Sequence, residues 1–163
     1  MRNNDLNPDR AIDHYAIKNE LEKINLVPFL LLYSSASKNA KLSVLYKVLM
    51  NDQGVFERNN RTQEFMFLLF AIPTIISVIS LMDIQGSYIF LDIRKQDLKT
   101  ILDTTEIKDI RRTTRTFFDG FFEGKNSLTY DEYISKFNSN NYMWIFDTKG
   151  IRMEVERLNQ TKK

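Results

Sequence analysis

The chain has 163 residues, of which 43% are hydrophobic and 12% aromatic, so it can bury a core and is not disordered throughout. Its 23 basic and 21 acidic residues are interspersed and leave a formal charge of +2, which argues against a nucleic-acid-binding protein with a clustered basic face. Disulfides and cysteine zinc sites are excluded because the sequence has no cysteine. The sequence has a single histidine, His14, which is too few for most histidine-based catalytic and metal sites. We therefore expect one domain, or two small lobes, in an intracellular compartment; the sequence does not name an organelle and leaves membrane association open.

The first 37 residues have the pattern of a helical segment. Residues 7–9, Asn-Pro-Asp, are typical of a helix start, and the predicted helix continues to about Ile24. A short apolar run at 26–33 predicts a second helix, which a polar link at 34–39 separates from the next.

A third helix is predicted at 41–50, and a turn signal at 51–54 follows it. Residues 65–82 then form an uncharged run of 18 residues, which is the lower end of a membrane-spanning length. Pro73 lies near the middle of this run and favours two adjacent helices, 61–72 and 73–82. Both interpretations, two helices or a single span of the bilayer, remain open from the sequence.

The second half of the chain repeats the same kinds of signal. A turn at 83–87 leads to a strand-like stretch at 88–91 and a helix at 95–102. The next predicted helix begins near Thr104 and Thr105 and continues to about Phe122. It is followed by a turn at 123–127 and a helix at 130–137. Residues 139–163 are treated as a polar, basic tail that includes the apolar stretch 142–146.

One plan recurs along the chain: a helix, a turn containing Gly or Asn, a short β-type apolar position, and another helix. The β positions are Phe56, Phe90 and Leu128, which are 34 and 38 residues apart. This plan resembles the EF-hand superfamily, in particular its calmodulin, calcineurin B-like and light-chain members. The resemblance is clearest at 128–133, Leu-Thr-Tyr-Asp-Glu-Tyr, where it would place Leu128 in the β-bridge and make Glu132 the closing acid.

The resemblance extends over roughly 29–137. The stretch 41–46 followed by 54–58 is similar to a calcineurin B-like hand, and 83–102 looks like a third unit. It implies an all-α, calmodulin-like arrangement in which 38–138 hold EF-hand-like units and 1–37 form a worn additional unit.

Calcium chemistry fits these loops poorly. A calcium loop needs several oxygen ligands at alternating positions and a bidentate acid at the twelfth. The loop that opens at Asp83 would close on the cation Arg94, and the last loop offers only Glu123 and Glu132 and contains Lys125. We therefore predict no metal and no cofactor, with Asp83, Glu123 and Glu132 as the weak candidate ligands.

Catalytic groupings are also missing from the sequence. The carboxylate pairs Asp131–Glu132 and Glu154–Glu156 lie in polar surroundings, whereas acid–base catalysis needs two carboxyls in contrasting environments within one cleft. The basic cluster 111–115 has the pattern of a solvated helix face. We predict that the protein is not an enzyme.

The apolar residues suggest protein binding instead. Two predicted helices are apolar on all sides, and a chain of this size is not expected to bury every one of their aromatic rings. We predict an adaptor or light-chain-like subunit that binds a partner's amphipathic helix without calcium. Its predicted partner-binding residues are Phe65, Phe67, Phe70, Phe117 and Phe121. The alternative is a single-span membrane subunit that crosses the bilayer at 65–82.

Overall fold

The computed structural model describes residues 26–81, 104–139 and 142–160. Most of these residues are helical, which confirms the prediction of an all-α chain at this coarse level. The elements are helix α1 (26–33), α2 (Lys38–Leu49), strand β1 (Phe56–Glu57), α3 (Asn60–Leu81), α4 (Thr104–Phe122), β2 (Ser127–Leu128), α5 (Tyr130–Ser139), a 3₁₀ helix (Tyr142–Phe146) and α6 (Thr148–Gln160).

Helix starts are set by polar caps. The hydroxyl of Ser37 accepts a hydrogen bond from the backbone N–H of Ala40, so α2 begins at Lys38, three residues before its predicted start. Before α3, the Asn59 side chain accepts from the Thr62 N–H at 3.0 Å, and the Thr62 hydroxyl accepts from the Asn59 N–H at 3.1 Å. This reciprocal pair satisfies two backbone donors that the first turn would otherwise leave unpaired.

The two loops that follow α2 and α4 pair with each other. β1 and β2 are antiparallel, with Phe56 opposite Leu128 and Glu57 opposite Ser127. Two of the three predicted β positions, Phe56 and Leu128, are thereby confirmed. The first unit, α2–β1–α3, and the second unit, α4–β2–α5, are joined loop to loop, and the side chains of Phe56 and Leu128 are both buried.

The prediction that Pro73 begins a new helix is wrong. Helix α3 is continuous from Asn60 to Leu81, with Pro73 buried inside it. A proline inside a helix costs about 3 kcal/mol because it removes one hydrogen bond and crowds the preceding turn. The surrounding side chains outweigh this cost, since they are almost fully buried against the rest of the protein: Leu69, Phe70, Ala71, Ile72 and Ile75.

The apolar run is thus part of a protein core over the stretch whose side chains are described. Within the described ranges, no helix combines the length and apolarity that a membrane crossing requires.

Residues 142–160 form ordered elements rather than the polar tail expected from the sequence. The 3₁₀ helix and α6 pack against each other, and α6 also packs on α3 and α4. Ile145, Phe146 and Ile151 are buried in these contacts. We call residues 142–160 the C-terminal segment.

Several predictions lie outside the described residues. These are the helix at 7–24, the β position Phe90, the helix at 95–102 and the weak metal candidate Asp83. The proposed third unit and the N-terminal segment therefore remain predictions.

Candidate functional site

Four of the five rings predicted to bind a partner are core residues in this structure. Phe65, Phe70, Phe117 and Phe121 are buried, with at most 4% of their surface exposed. Phe67 alone of the five is half-buried, and the guanidinium carbon of Arg111 lies 6.0 Å from its ring centroid. In this conformation the predicted groove is therefore closed.

The cover over three of these rings comes from the C-terminal segment. We call Phe70, Phe117 and Phe121 the aromatic layer, because α3 and α4 bring them together with Phe70 5.8 Å from Phe117 and Phe117 5.0 Å from Phe121. Trp144 lies 5.3 Å from Phe70 and 6.1 Å from Phe117. Tyr142 lies 5.6 Å from Phe117 and 5.2 Å from Phe121. These are ordinary distances for favourable aromatic pairs.

Two glycines make room for close contacts of the C-terminal segment, one with α4 and one within the segment itself. A Cβ on Gly120 would lie 2.9 Å from the Tyr142 hydroxyl oxygen, so the missing side chain makes room for Tyr142 against α4. A Cβ on Gly150 would lie 3.0 Å from the Trp144 Cβ and 3.1 Å from its carbonyl oxygen. Any larger residue at 150 would therefore push α6 away from the 3₁₀ helix.

Polar contacts fix both ends of α6. The Asp147 carboxylate accepts from the backbone N–H groups of Lys149 and Gly150 and so caps the N-terminus of the helix. Near the other end, the Arg112 guanidinium on α4 donates to the carbonyl oxygen of Leu158 at 2.6 Å. This bond satisfies a backbone acceptor in the last turns of the helix.

Glu132, the predicted closing acid of a calcium loop, caps α5. Its carboxylate accepts from the Thr129 N–H at 2.9 Å, and the Glu132 N–H donates back to the Thr129 hydroxyl at 3.4 Å. The Lys125 ammonium donates to the other carboxylate oxygen. Lys125 and the Thr129 N–H together lower the pKa of Glu132 to about 2. The carboxylate is thus stabilised as an anion by the protein's own donors.

Two other loop acids, Glu123 and Glu57, are likewise held by protein donors. Glu123 forms a salt bridge with Lys136. In the first loop, Glu57 accepts from the side-chain amides of both Asn51 and Asn59, at 2.6 and 3.3 Å. Across the described ranges, no group of three or more His, Asp or Glu side chains is placed to hold a metal ion.

The tight turn of the first loop is held by hydrogen bonds and by the backbone conformation of a glycine. The Asn51 side-chain oxygen accepts from the N–H groups of Gln53 and Val55, and the Tyr46 hydroxyl donates to the Gly54 carbonyl at 2.7 Å. Gly54 has φ of 72°, a left-handed conformation that glycine adopts without a steric penalty. Three hydrogen bonds and one left-handed glycine thus contribute to the shape of this loop.

Sequence reasoning missed the covering residues Tyr142 and Trp144, because it assigned them to a polar tail. The available signal was the spacing of Ile151, Val155 and Leu158, which is four and then three residues and is typical of an amphipathic helix. Asp147 immediately before this pattern is a favourable capping residue.

Two open depressions border α5 on the described surface. The clearest depression is an open hollow on the outer side of α5, bordered by Tyr130, Asp131, Ile134 and Ser135. Comparison of the chain with protein-family models, with curated proteins and with solved structures finds no match. A functional assignment has to be built from the residues of this chain.

Proposed function

We propose that the protein is a non-catalytic adaptor that binds an apolar, amphipathic helix of a larger protein assembly. The binding surface is the aromatic layer between α3 and α4, with Phe67 at its edge. Binding needs no calcium. This is the arrangement expected of an EF-hand-like or light-chain-like protein with degenerate loops.

The observation that carries this proposal is the way the aromatic layer is covered. Phe70, Phe117 and Phe121 come from the two helix–loop–helix units, yet their cover is a separate short segment that includes Tyr142 and Trp144. A surface that accepts one amphipathic segment has the shape and chemistry to accept another of the same kind. Aromatic rings in such surfaces commonly act as binding anchors.

The paired loops support an EF-hand-like organisation. Two helix–loop–helix units lie side by side, and their loops are joined by a short antiparallel pair at Phe56 and Leu128. Gly54 supplies the sharp turn in the first loop, two residues before its β position. In the second loop, Glu132 lies four residues after its β position, which agrees with the place of a closing acid.

Calcium independence is proposed from the partners of the acids. Glu132 is held by Lys125 and Thr129, and Glu123 is held by Lys136. A calcium ion would have to displace these donors and would then find too few oxygen ligands nearby. Isothermal titration should detect no micromolar calcium binding, and calcium should not raise the melting temperature. A rise of several degrees at low calcium would contradict this part of the proposal.

The adaptor proposal can be tested by partner capture with two matched variants. We expect the tagged chain to co-purify a helical partner from the cells that produce it, and to retain that partner when calcium is chelated. Phe67→Ala should weaken capture by about tenfold or more, because Phe67 is the predicted partner-binding ring that is only half-buried. Lys125→Ala, in the exposed second loop, should leave capture unchanged.

Circular dichroism must show that both variants are folded, so that lost capture reflects a lost contact. Peptide fragments protected from hydrogen exchange by the partner should come from α3 and α4. Protection confined to other elements, or equal capture by the wild type and Phe67→Ala, would contradict the proposed site.

A further inference from the structure

The C-terminal segment resembles a bound ligand in the way its side chains are distributed. Ile145, Phe146 and Ile151 are fully buried, while the covering rings Tyr142 and Trp144 are half-buried. The opposite side of α6 faces solvent; Met153, for example, is 59% exposed. Seven apolar side chains among these nineteen residues thus pack in or against the core. The apolar burial they provide is offset by the conformational entropy lost when so many residues are ordered.

The two helix–loop–helix units also have packing of their own that does not involve this segment. Phe56 packs on Phe122 at 5.4 Å and on Tyr133 at 5.5 Å, and Tyr46 packs on Tyr133 at 5.0 Å. The Tyr133 hydroxyl donates to the Leu42 carbonyl at 2.9 Å, which ties α5 to α2. These contacts would persist if the C-terminal segment left the aromatic layer.

We propose that the C-terminal segment is a built-in competitor that occupies the partner site and is displaced when a partner helix binds. The proposal rests on the proposed function and specifies both the regulation of the site and the chemistry of its partner. The partner is a protein segment with two aromatic residues spaced as Tyr142 and Trp144 are, followed by a capped amphipathic helix. In the free protein, residues 142–160 cover the partner site. In the partner-bound protein, these residues are released from it.

The shape of the site explains why a partner segment needs an aromatic residue at the position that Tyr142 occupies. Gly120 leaves a space on α4 that the Tyr142 ring and hydroxyl fill, while Phe117 and Phe121 form its walls. An aliphatic residue would leave this space partly empty and forfeit the ring contacts. The site therefore favours segments that present an aromatic ring at this position.

The test uses Trp144, which is the single tryptophan of the chain, so its emission reports directly on the docked segment. The probe is a synthetic peptide of residues 142–160 carrying the Trp144→Phe substitution, added to the full-length protein. Binding of the peptide should release the chain's own segment, shifting Trp144 emission to the red and increasing its quenching by acrylamide. Because the internal segment acts at an effective concentration of about 1 mM, the wild type should respond only near that peptide concentration.

Tyr142→Ala in the full-length chain should make displacement easier. It removes one anchor from the internal competitor and leaves the site itself unchanged. Half-displacement should therefore occur at a peptide concentration at least about tenfold lower than for the wild type. Met153→Ala, on the exposed side of α6, is the matched control and should respond as the wild type does. If Tyr142→Ala does not fold, Val155→Ala, which trims a half-buried contact of α6, takes its place.

A second readout, the anisotropy of the same peptide labelled with fluorescein, separates two kinds of failure. Saturable binding together with a red shift of Trp144 supports the built-in competitor, provided that a scrambled peptide does neither. Saturable binding with unchanged Trp144 emission overturns the competitor and leaves the adaptor function standing. Absence of binding, even to the variant with the weakened segment, overturns both.

Discussion

Phe121→Ala tests how much a ring of the aromatic layer contributes to the core of the free protein. Phe121 has 0% of its surface exposed. Its ring centroid lies between 5.0 and 6.1 Å from those of Phe56, Phe117, Phe122, Tyr133, Phe137 and Tyr142. Removing a buried phenylalanine costs about 3–5 kcal/mol in total, and because Phe121 also loses its aromatic pairs we expect the upper end of this range. Typical domains have only about 5–15 kcal/mol of stability.

Urea unfolding followed by far-ultraviolet circular dichroism measures this loss. Phe67→Ala is the matched control because it makes the same chemical change at a half-buried position. It should cost about 1–2 kcal/mol, since only part of the ring leaves water on folding. If Phe121→Ala lowered the free energy of unfolding by less than about 1 kcal/mol, the ring would not be the core residue that the structure describes.

The remaining predictions concern single contacts. Tyr133→Phe should lower the free energy of unfolding by about 1 kcal/mol in urea titrations, because it removes one buried hydrogen bond to a carbonyl of α2; no change would contradict that bond. Gly120→Ala should stabilise the protein by about 1 kcal/mol only in a Tyr142→Phe background, where the helix propensity of alanine is gained without the clash at the hydroxyl. A double-mutant cycle that finds the two changes additive would refute this coupling. Carboxyl NMR titration should give Glu132 a pKa near 2, and Lys125→Met should raise it toward the ordinary value; because the folded pKa is lowered from 4.5, the stabilisation is present above about pH 4.5 and is lost as pH falls toward 2.

Elements with strong local signals could be predicted from the sequence. The helix ending at Phe122 and the helix beginning at Tyr130 were both predicted within two residues at the ends that border the second loop. Phe56 and Leu128 were identified as β positions because each is an apolar residue shortly after a polar turn, at equivalent places in a repeated plan. Caps, turn residues and apolar spacing act over a few residues, so a short stretch of sequence contains the information that they need.

Pro73 shows where local reasoning fails. Taken alone, a proline in an apolar run favours a break, because it removes a backbone donor. Whether the helix breaks depends on what packs around it, and here the side chains on either side are buried by residues far away in the sequence. The tertiary contacts outweigh the local preference, and their strength cannot be predicted from a local sequence pattern.

The apolar rings show a second limit of sequence reasoning. Composition predicted more aromatic surface on α3 and α4 than the chain could bury by itself, whereas four of the five rings predicted to bind a partner are buried in the structure. It could not say whether the cover comes from a partner or from the same chain. In the structure, Tyr142 and Trp144 supply that cover, from a segment that the sequence suggested was a tail. Cover by the chain's own segment and cover by a partner have the same chemistry, because each places an amphipathic segment on the same rings. The two differ only in free energy. The balance depends on the effective concentration of the tethered segment compared with the affinity of a free partner segment. A surface closed by its own chain is therefore compatible with an adaptor, provided that a partner can outcompete the tether.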